Sequence, residues 1–389
     1  MTPGARAQAA IDVLDAWQAG QAPEQALTRW ARASRYAGSK DRAAVRDLVY
    51  SAIRCARSHA AMGQGDDGRA MIIGGLREAG DAPEAVFDGS RFAPDALQDH
   101  ERRVCDLNAL PEAVRLDMPD WLLPYLERSL GPDWRTVAAE LRKRAPVFLR
   151  VNAAKCSRDE AVAALATDGI VTAAHPLSPT ALEVVEGARR VHLSAAFNDG
   201  LVELQDVASQ AVIDLTGVTA GMRVLDYCAG GGGKALAMAA QGAEVYAHDV
   251  NQKRMNDLPE RVRRAGVDIA ILECPGMGGT YDMVLADAPC SGSGAWRRAP
   301  QGKWDLTEER LSELCNIQAE ILGDIAPLVA VGGQLVYATC SLFDEENQAQ
   351  IEAFISRTPG WKIVRSQRFT PLDGGDGFFV AVLQRDGVA

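Results

Sequence analysis

No two cysteines of this 389-residue chain are spaced as CxxC, and none of the eight (55, 105, 156, 228, 274, 290, 315 and 340) stands with histidines at zinc-ligand spacing. Structural zinc, any other metal and a disulfide framework are therefore not expected. The first residues, MTPGARAQAAIDVLDAWQAG, lack an apolar core of signal-peptide length, and no later stretch approaches a membrane span. The reading is a cytoplasmic protein without membrane association, in a compartment where thiols stay reduced and available for chemistry. An excess of basic charge is missing too: 41 Lys and Arg stand against 52 Asp and Glu, a net charge of -11. A broadly basic coat is excluded, and binding to a polyanion has to rest on a local patch. Repeats and low-complexity segments are also absent. What remains, 47% hydrophobic and 24% charged residues, is ordinary for a globular chain of two or three domains.

Residues 1–115 read as short amphipathic helices: Ile11, Leu14 and Trp17 recur at helical spacing, as do Val45, Leu48, Val49, Ala52 and Ile53, with Ser39 as an N-cap. Punctuation by Gly and Pro from Gly80 to Pro94 predicts a loop. Residues 116–200 read as a small α+β module, with helices at Trp121 to Leu130, Trp134 to Arg144 and Arg158 to Asp168, and strands at Val147 to Val151 and Ala181 to Val185. From Leu201 to the end, residues 201–389, short apolar strands alternate with helices. The strands are Val224 to Tyr227, Glu244 to His248, Ile269 to Leu272, Met283 to Ala286 and Gln334 to Ala338. Asn251 to Ala265 and Thr307 to Val331 are the clearest helices, and Trp361 to Arg365 with Phe378 to Leu383 form a terminal hairpin. Such alternation predicts an α/β, Rossmann-like, mostly parallel sheet with ligands at the carboxyl ends of its strands.

Directly after the first of these strands stands Asp226-Tyr227-Cys228-Ala229-Gly230-Gly231-Gly232-Gly233-Lys234, followed by a helix. Glycines let the backbone turn sharply and approach a ligand, and a helix N-terminus offers free N–H groups. A P-loop needs Gly at 228 and Ser or Thr at 235, but Cys228 and Ala235 stand there, which disfavours nucleoside triphosphates. Asp249, after the second strand, meets the requirement for a ribose contact. It does so equally for a nicotinamide dinucleotide and for S-adenosylmethionine.

Two later strands end on cysteines: Asp287-Ala288-Pro289-Cys290-Ser291-Gly292-Ser293-Gly294 and Thr339-Cys340-Ser341. Both thiols are expected on the rim where the glycine loop opens. Methylating carbon 5 of a pyrimidine requires a nucleophile at carbon 6, because carbon 5 alone is too electron-poor to attack a methyl sulfonium, and a base must then take the carbon 5 proton. One cysteine for attack and one for release satisfies that scheme, with Asp287 bonding ring nitrogen 3. For Cys228, Cys274 and Cys315, core packing or loop filling is the better reading as far as thiol chemistry goes.

These motifs, with Gln205-Asp206, Ala208-Ser209-Gln210, Trp296-Arg297-Arg298, Pro300, Lys303-Trp304, Tyr337 to Leu342, Glu345-Glu346-Asn347 and Asp376 to Phe379, resemble the Sun/Fmu family of RNA cytosine-5 methyltransferases. The likeness is closest to the bacterial branch acting on small-subunit (16S) ribosomal RNA. It implies a seven-stranded class I methyltransferase domain and S-adenosylmethionine as cofactor. It also implies Cys340 as nucleophile and Cys290 assisting release, the reverse of DNA cytosine methyltransferases. Cofactor contacts are implied at Cys228, Ala229, Gly230, Gly231, Gly232, Gly233, Lys234, Asp249 and Asp287, with Lys234 also reaching the reaction centre. The helical N-terminal part is similar to a NusB-like RNA-binding domain, and the α+β module to one that positions RNA. Two features depart from the family: its Ala-Pro-Gly-Gly-Lys loop is Gly230-Gly231-Gly232-Gly233-Lys234 here, which makes the free loop costlier to order, and the acid expected after the third strand near the adenine has no clean counterpart, Glu273 or Cys274 occupying that region with the contact left unassigned.

RNA contact is expected at Arg297, Arg298, Lys303 and Trp304, where cations meet phosphates and an indole stacks on an extruded base. Arg142-Lys143-Arg144 leading to Arg150 is a further basic cluster, while Arg261, Arg263 and Arg264 read better as a solvated helix face. A monomer is expected. Three other readings remain: a transfer RNA substrate, a non-catalytic RNA-binding assembly factor, and a nicotinamide-dependent oxidoreductase, which leaves both rim cysteines unexplained.

Overall fold

The computed structural model describes residues 1–103 and 105–387. The chain packs as two compact units, one formed by residues 1–144 together with 296–305, the other by 145–295 and the residues from Leu306 on.

The first unit is helical, beginning with α1 (Pro3–Gln18), α2 (Pro23–Ala33), α3 (Ser39–Arg54), α4 (Ala56–Gly63) and α5 (Gly68–Glu78). Thr2 caps α1 by accepting the Ala5 N–H, with a proline in the first turn where no backbone donor is lost. Ser39, expected as a cap, is instead the first residue of α3; Gly38 takes the cap position, and the Asp41 carboxylate accepts its N–H at 3.3 Å. Leu14, Val45, Val49, Ile53 and Ile73 are fully buried, and each such side chain contributes about 1.5–3 kcal/mol of burial energy. The packing of α4 on α5 is very close: a Cβ added at Gly63 would lie 1.9 Å from the Ala70 carbonyl oxygen, and one at Gly74 1.9 Å from that of His59.

Residues 116–144 pack with the helical unit. Asp117 is buried and accepts both the N–H and the hydroxyl of Ser58 (2.8 and 2.7 Å), and Arg142 donates to it at 2.6 Å. These bonds stitch residues 116–144, including helices Leu122–Leu130 and Trp134–Glu140, to the helical unit.

The second unit contains two sheets. The smaller is antiparallel, order β2-β3-β1-β4, from β1 (Phe148–Val151), β2 (Val171–Ala174), β3 (Ala181–Glu186) and β4 (Val202–Leu204), with helix Arg158–Thr167 against it. Strands β2 and β4 were not legible as strands; β2 is an exposed edge of small residues without an apolar alternation. The smaller sheet packs against the segment that follows it. Phe148 and Ala181 pack on Val207 of the next helix, and Gln210 of that helix donates to the Leu149 carbonyl at 3.2 Å.

The larger sheet comprises β5 (Arg223–Asp226), β6 (Glu244–Ala247), β7 (Ile269–Ile271), β8 (Tyr281–Asp287), β9 (Val329–Thr339), β10 (Trp361–Phe369) and β11 (Phe378–Arg385). Their order is β10-β11-β9-β8-β5-β6-β7, parallel except for β11, which pairs antiparallel with both neighbours. This is the predicted seven-stranded, mostly parallel sheet with a terminal hairpin. Central β8 buries Met283, Val284, Leu285 and Ala286 completely, as a strand covered on both faces must. Two expected helices are shorter than their periodicity. Pro259 opens helix Leu258–Ala265, leaving a 3₁₀ turn at Gln252–Met255. Helix Glu308–Ile325 stops before Pro327, and Val329 already pairs with Tyr281 as a strand. The strand order reverses between β5 and β8, so a crevice forms at their carboxyl ends, where a doubly wound sheet binds its ligands.

Candidate active site

Strand β5 delivers the glycine loop to this crevice. Gly230 and Gly232 adopt φ of +51° and +78°, a conformation that side-chain-bearing residues rarely take. A Cβ on Gly232 would also stand 2.2 Å from Leu258 Cδ1. Helix Gly233–Ala240 starts at Gly232 with no cap from the N-cap side chain, and its Ala235 N–H is directed at the Asp226 carboxyl. Arg150, buried on β1, donates to the Gly233 carbonyl at 2.6 Å and to the Gln205 side chain, fixing the helix start from below.

Asp249, after β6, is buried and already engaged. Its carboxylate accepts the N–H of Gly230 and of Asn251, both at 2.9 Å, and pairs with Arg254 at 3.1 Å. It thus holds the glycine loop shut on the β6 side. Asp226, quoted in the motif without a role, is 1% exposed and has no hydrogen bond of ordinary geometry. Burial, followed by the charge of Asp287, pushes its carboxyl up to about 7. An orphaned carboxyl and a backbone cradle that a Cβ would fill together suit a ligand carrying an ammonium and a carboxylate, as the methionine end of S-adenosylmethionine does.

Asp287 ends β8 and forms a 2.7 Å ion pair with Lys234 of the loop helix, whose ammonium also lies 4.9 Å from the Phe378 ring centre. Cys290 and Cys340 meet three residues beyond β8 and one beyond β9, their sulfurs 3.5 Å apart and both partly exposed. The Cys290 thiol is pushed well above its ordinary range, first by its contact with Cys340, then by burial. Either thiol can be the donor in this sulfur–sulfur contact. Cys228 is pushed up as well, by burial and by the carboxylates of Asp226, Asp287 and Asp249. It is an inert thiol beneath the loop.

The basic residues read as RNA contacts are placed otherwise. Trp296 to Asp305 belong to the helical unit. Lys303 is 1% exposed with its ammonium on the Arg54 carbonyl at 3.0 Å, and Trp304 donates to the Ile53 carbonyl at 2.7 Å. Arg297 is buried, its own carbonyl taken by Arg54; of the four, only Arg298 is exposed. Lys303 and Arg297 are buried and Trp304 is partly buried against the helical core, so these three side chains pack within the helical unit. Arg142 is spent on Asp117 and Glu78, and Arg261 and Arg264 on Glu203.

Burial pulls the Lys303 ammonium down to about 8 from 10.5. The unfolded chain therefore binds more protons than the folded one between these values, and folding stability rises as pH climbs through that window. Relative to Lys303→Met, the wild type should gain about 3 kcal/mol between pH 8 and 10.5, measured by denaturant unfolding.

The cations missed by sequence reasoning lie around a groove between α2 and α3, lined by Leu27, Trp30, Arg32, Arg35, Arg42 and Arg46. Arg29, Arg32, Arg35 and Lys40 are exposed and have no carboxylate partner among the described residues, and Tyr36 between the helices is 75% exposed. Only the density of Arg from 29 to 46 signalled this patch. Among the described residues, Cys55, His59 and Glu78 are the metal-ligating types that cluster, within 4.8 Å. Their donors are committed: burial pushes the Cys55 thiol up to about 12, and Glu78 holds both His59 and Arg142.

Comparison with known proteins agrees with this layout. The family model for the 16S rRNA methyltransferase RsmB/F matches residues 216–384, and one for the RsmF/B-like ferredoxin-like domain matches 118–192. The chain is 35% identical over 282 residues to ribosomal RNA small subunit methyltransferase B of Citrobacter koseri, covering 68% of this chain and 66% of that one. It is 33% identical over the same length, with the same coverage, to the protein of that name from Escherichia coli K12. The chain thus spans about two thirds of the length of these relatives. Among solved structures, PH0851 superposes at a TM-score of 0.78 with 24% identity over 99% of both chains. A methyltransferase homolog from Pyrococcus horikoshii gives 0.63 with 22% identity, over 72% of this chain and 100% of that one. Both show the same fold.

Proposed function

The chain belongs to the RsmB/F family of 16S rRNA methyltransferases, and from that premise we propose that it methylates carbon 5 of a cytosine in small-subunit ribosomal RNA through a covalent cysteine adduct. The observation that carries the reading is the pair of partly exposed sulfurs 3.5 Å apart, on the same sheet edge as the glycine loop. S-adenosylmethionine, when bound by the glycine loop with Asp226 and Asp249 beneath it, supplies a methyl group on a sulfonium.

Cys340 attacks carbon 6 of the ring: a carbon–sulfur bond forms, the carbon 5–carbon 6 double bond opens, and its electron pair makes carbon 5 nucleophilic. The Lys234 ammonium, held on the Asp287 carboxylate, supplies the proton that Asp287 donates to ring nitrogen 3 as negative charge develops there. Once carbon 5 carries the methyl group, its proton leaves to a base, the double bond re-forms and Cys340 departs as a thiolate, with Cys290 assisting release.

For RNA binding the reading uses the α2/α3 groove, whose unpaired arginines suit phosphates and whose Trp30 and Tyr36 suit an unpaired base. Arg32→Glu with Arg35→Glu should weaken binding of a 16S rRNA fragment about tenfold and flatten the salt dependence of log K by about 2. S-adenosylmethionine affinity should not change.

Bisulfite mapping of RNA from a deletion strain tests the function as a whole. Loss of one 5-methylcytosine from 16S ribosomal RNA is expected. Loss from a transfer RNA would reassign the substrate, and no loss anywhere would leave a non-catalytic binding factor.

A further inference from the structure

Glu346 is fully buried, yet among the described residues no cation pairs with it. A carboxylate removed from water costs several kcal/mol unless hydrogen bonds replace its hydration. Here they do. One oxygen accepts the Ser291 N–H at 2.7 Å and the Gln318 amide at 3.0 Å; the other accepts the Ser291 hydroxyl at 2.5 Å and the Ser341 hydroxyl. Ser291 follows Cys290 and Ser341 follows Cys340, so each loop that carries a rim thiol hangs from the same buried group. Gln318 extends the tie by donating to the Pro289 carbonyl at 2.9 Å.

We propose that Glu346 is the positioning residue of the thiol pair: its carboxylate clamps the loop after β8 to the loop after β9 and so sets the separation of the Cys290 and Cys340 sulfurs. The proposal rests on the two-cysteine reading above and deepens it. Hydroxyls and amides alone could join the loops without a buried charge. The charge adds a second effect, because it stands close enough to Cys290 to help hold that thiol protonated. The same group thereby fixes the distance between the sulfurs.

The test uses the full-length protein without RNA. Treatment with diamide, a thiol oxidant, should join Cys290 and Cys340 rapidly in the wild type, read by mass spectrometry of the linked peptides. Glu346→Ala should slow that reaction about tenfold or more, since a misplacement of about 1 Å is enough for such a loss. Glu346→Gln, which can still bridge the serines, should cross-link near the wild-type rate. Its Cys290, however, should be alkylated by iodoacetamide at lower pH than in the wild type, and its kcat should fall with the KM for RNA unchanged. A folded Glu346→Ala protein that cross-links at the wild-type rate would overturn the proposal, as would an unshifted alkylation profile in Glu346→Gln. If the alanine variant does not fold, the glutamine variant decides alone. Should these results hold while the wild type makes no 5-methylcytosine, the clamp stands and the methylation reading falls.

Discussion

Cys340→Ala should reduce methyl transfer to background, whereas Cys290→Ala should accumulate a protein–RNA adduct that migrates slowly on a denaturing gel. The asymmetry follows from when each sulfur is needed. Without the Cys340 sulfur, carbon 5 never becomes nucleophilic, and removing a residue of this kind costs on the order of 10⁴-fold or more in kcat. Without Cys290, addition and transfer still proceed, but the step that frees the enzyme is impaired. The positions fit these roles: the two sulfurs lie 3.5 Å apart just beyond β8 and β9, close enough to act on one ring. An adduct in Cys340→Ala, with clean loss of activity in Cys290→Ala, would exchange the assignments.

The second large effect is expected at Asp287. Its carboxylate ends the central strand and is held by Lys234 at 2.7 Å, oriented before any substrate arrives. Preorganised partners of this kind act where charge develops, and losing one lowers kcat by about 10²- to 10³-fold, or about 3–4 kcal/mol. Asp287→Ala should show that loss in single-turnover methyl transfer, with the dissociation constant for RNA within about twofold of the wild type because the effect lies in the transition state. A variant that lost RNA affinity and kept its turnover rate would make Asp287 a binding residue instead.

Much of this was legible because the chemistry stands at strand ends. Apolar runs that stop at Asp226, Asp287 and Thr339 locate the sheet edge, and the glycines and the two Cys-Ser steps beyond them mark what lines it. The basic residues show the converse limit: sequence gives charge but not direction. Lys303 and Trp304 look like nucleic-acid contacts until their partners, Arg54 and Ile53, are found some 250 positions earlier in the chain. Asp226 and Glu346 escaped assignment similarly, since a carboxylate in a motif does not disclose whether water reaches it. Changes of pattern mark the sequence divisions, while bonds such as Asp117 to Ser58, which no pattern records, tie residues across them.

The central claim is a bond between one particular sulfur and carbon 6 of cytosine. It can be caught directly by incubating the wild-type protein and S-adenosylmethionine with ribosomal RNA containing 5-fluorocytosine, whose fluorine cannot leave as the proton does, and sequencing the nucleotide-bearing peptide by mass spectrometry. The peptide should carry its cytosine on Cys340. A cytosine on Cys290, or methylated RNA released with no adduct on either cysteine, would contradict it.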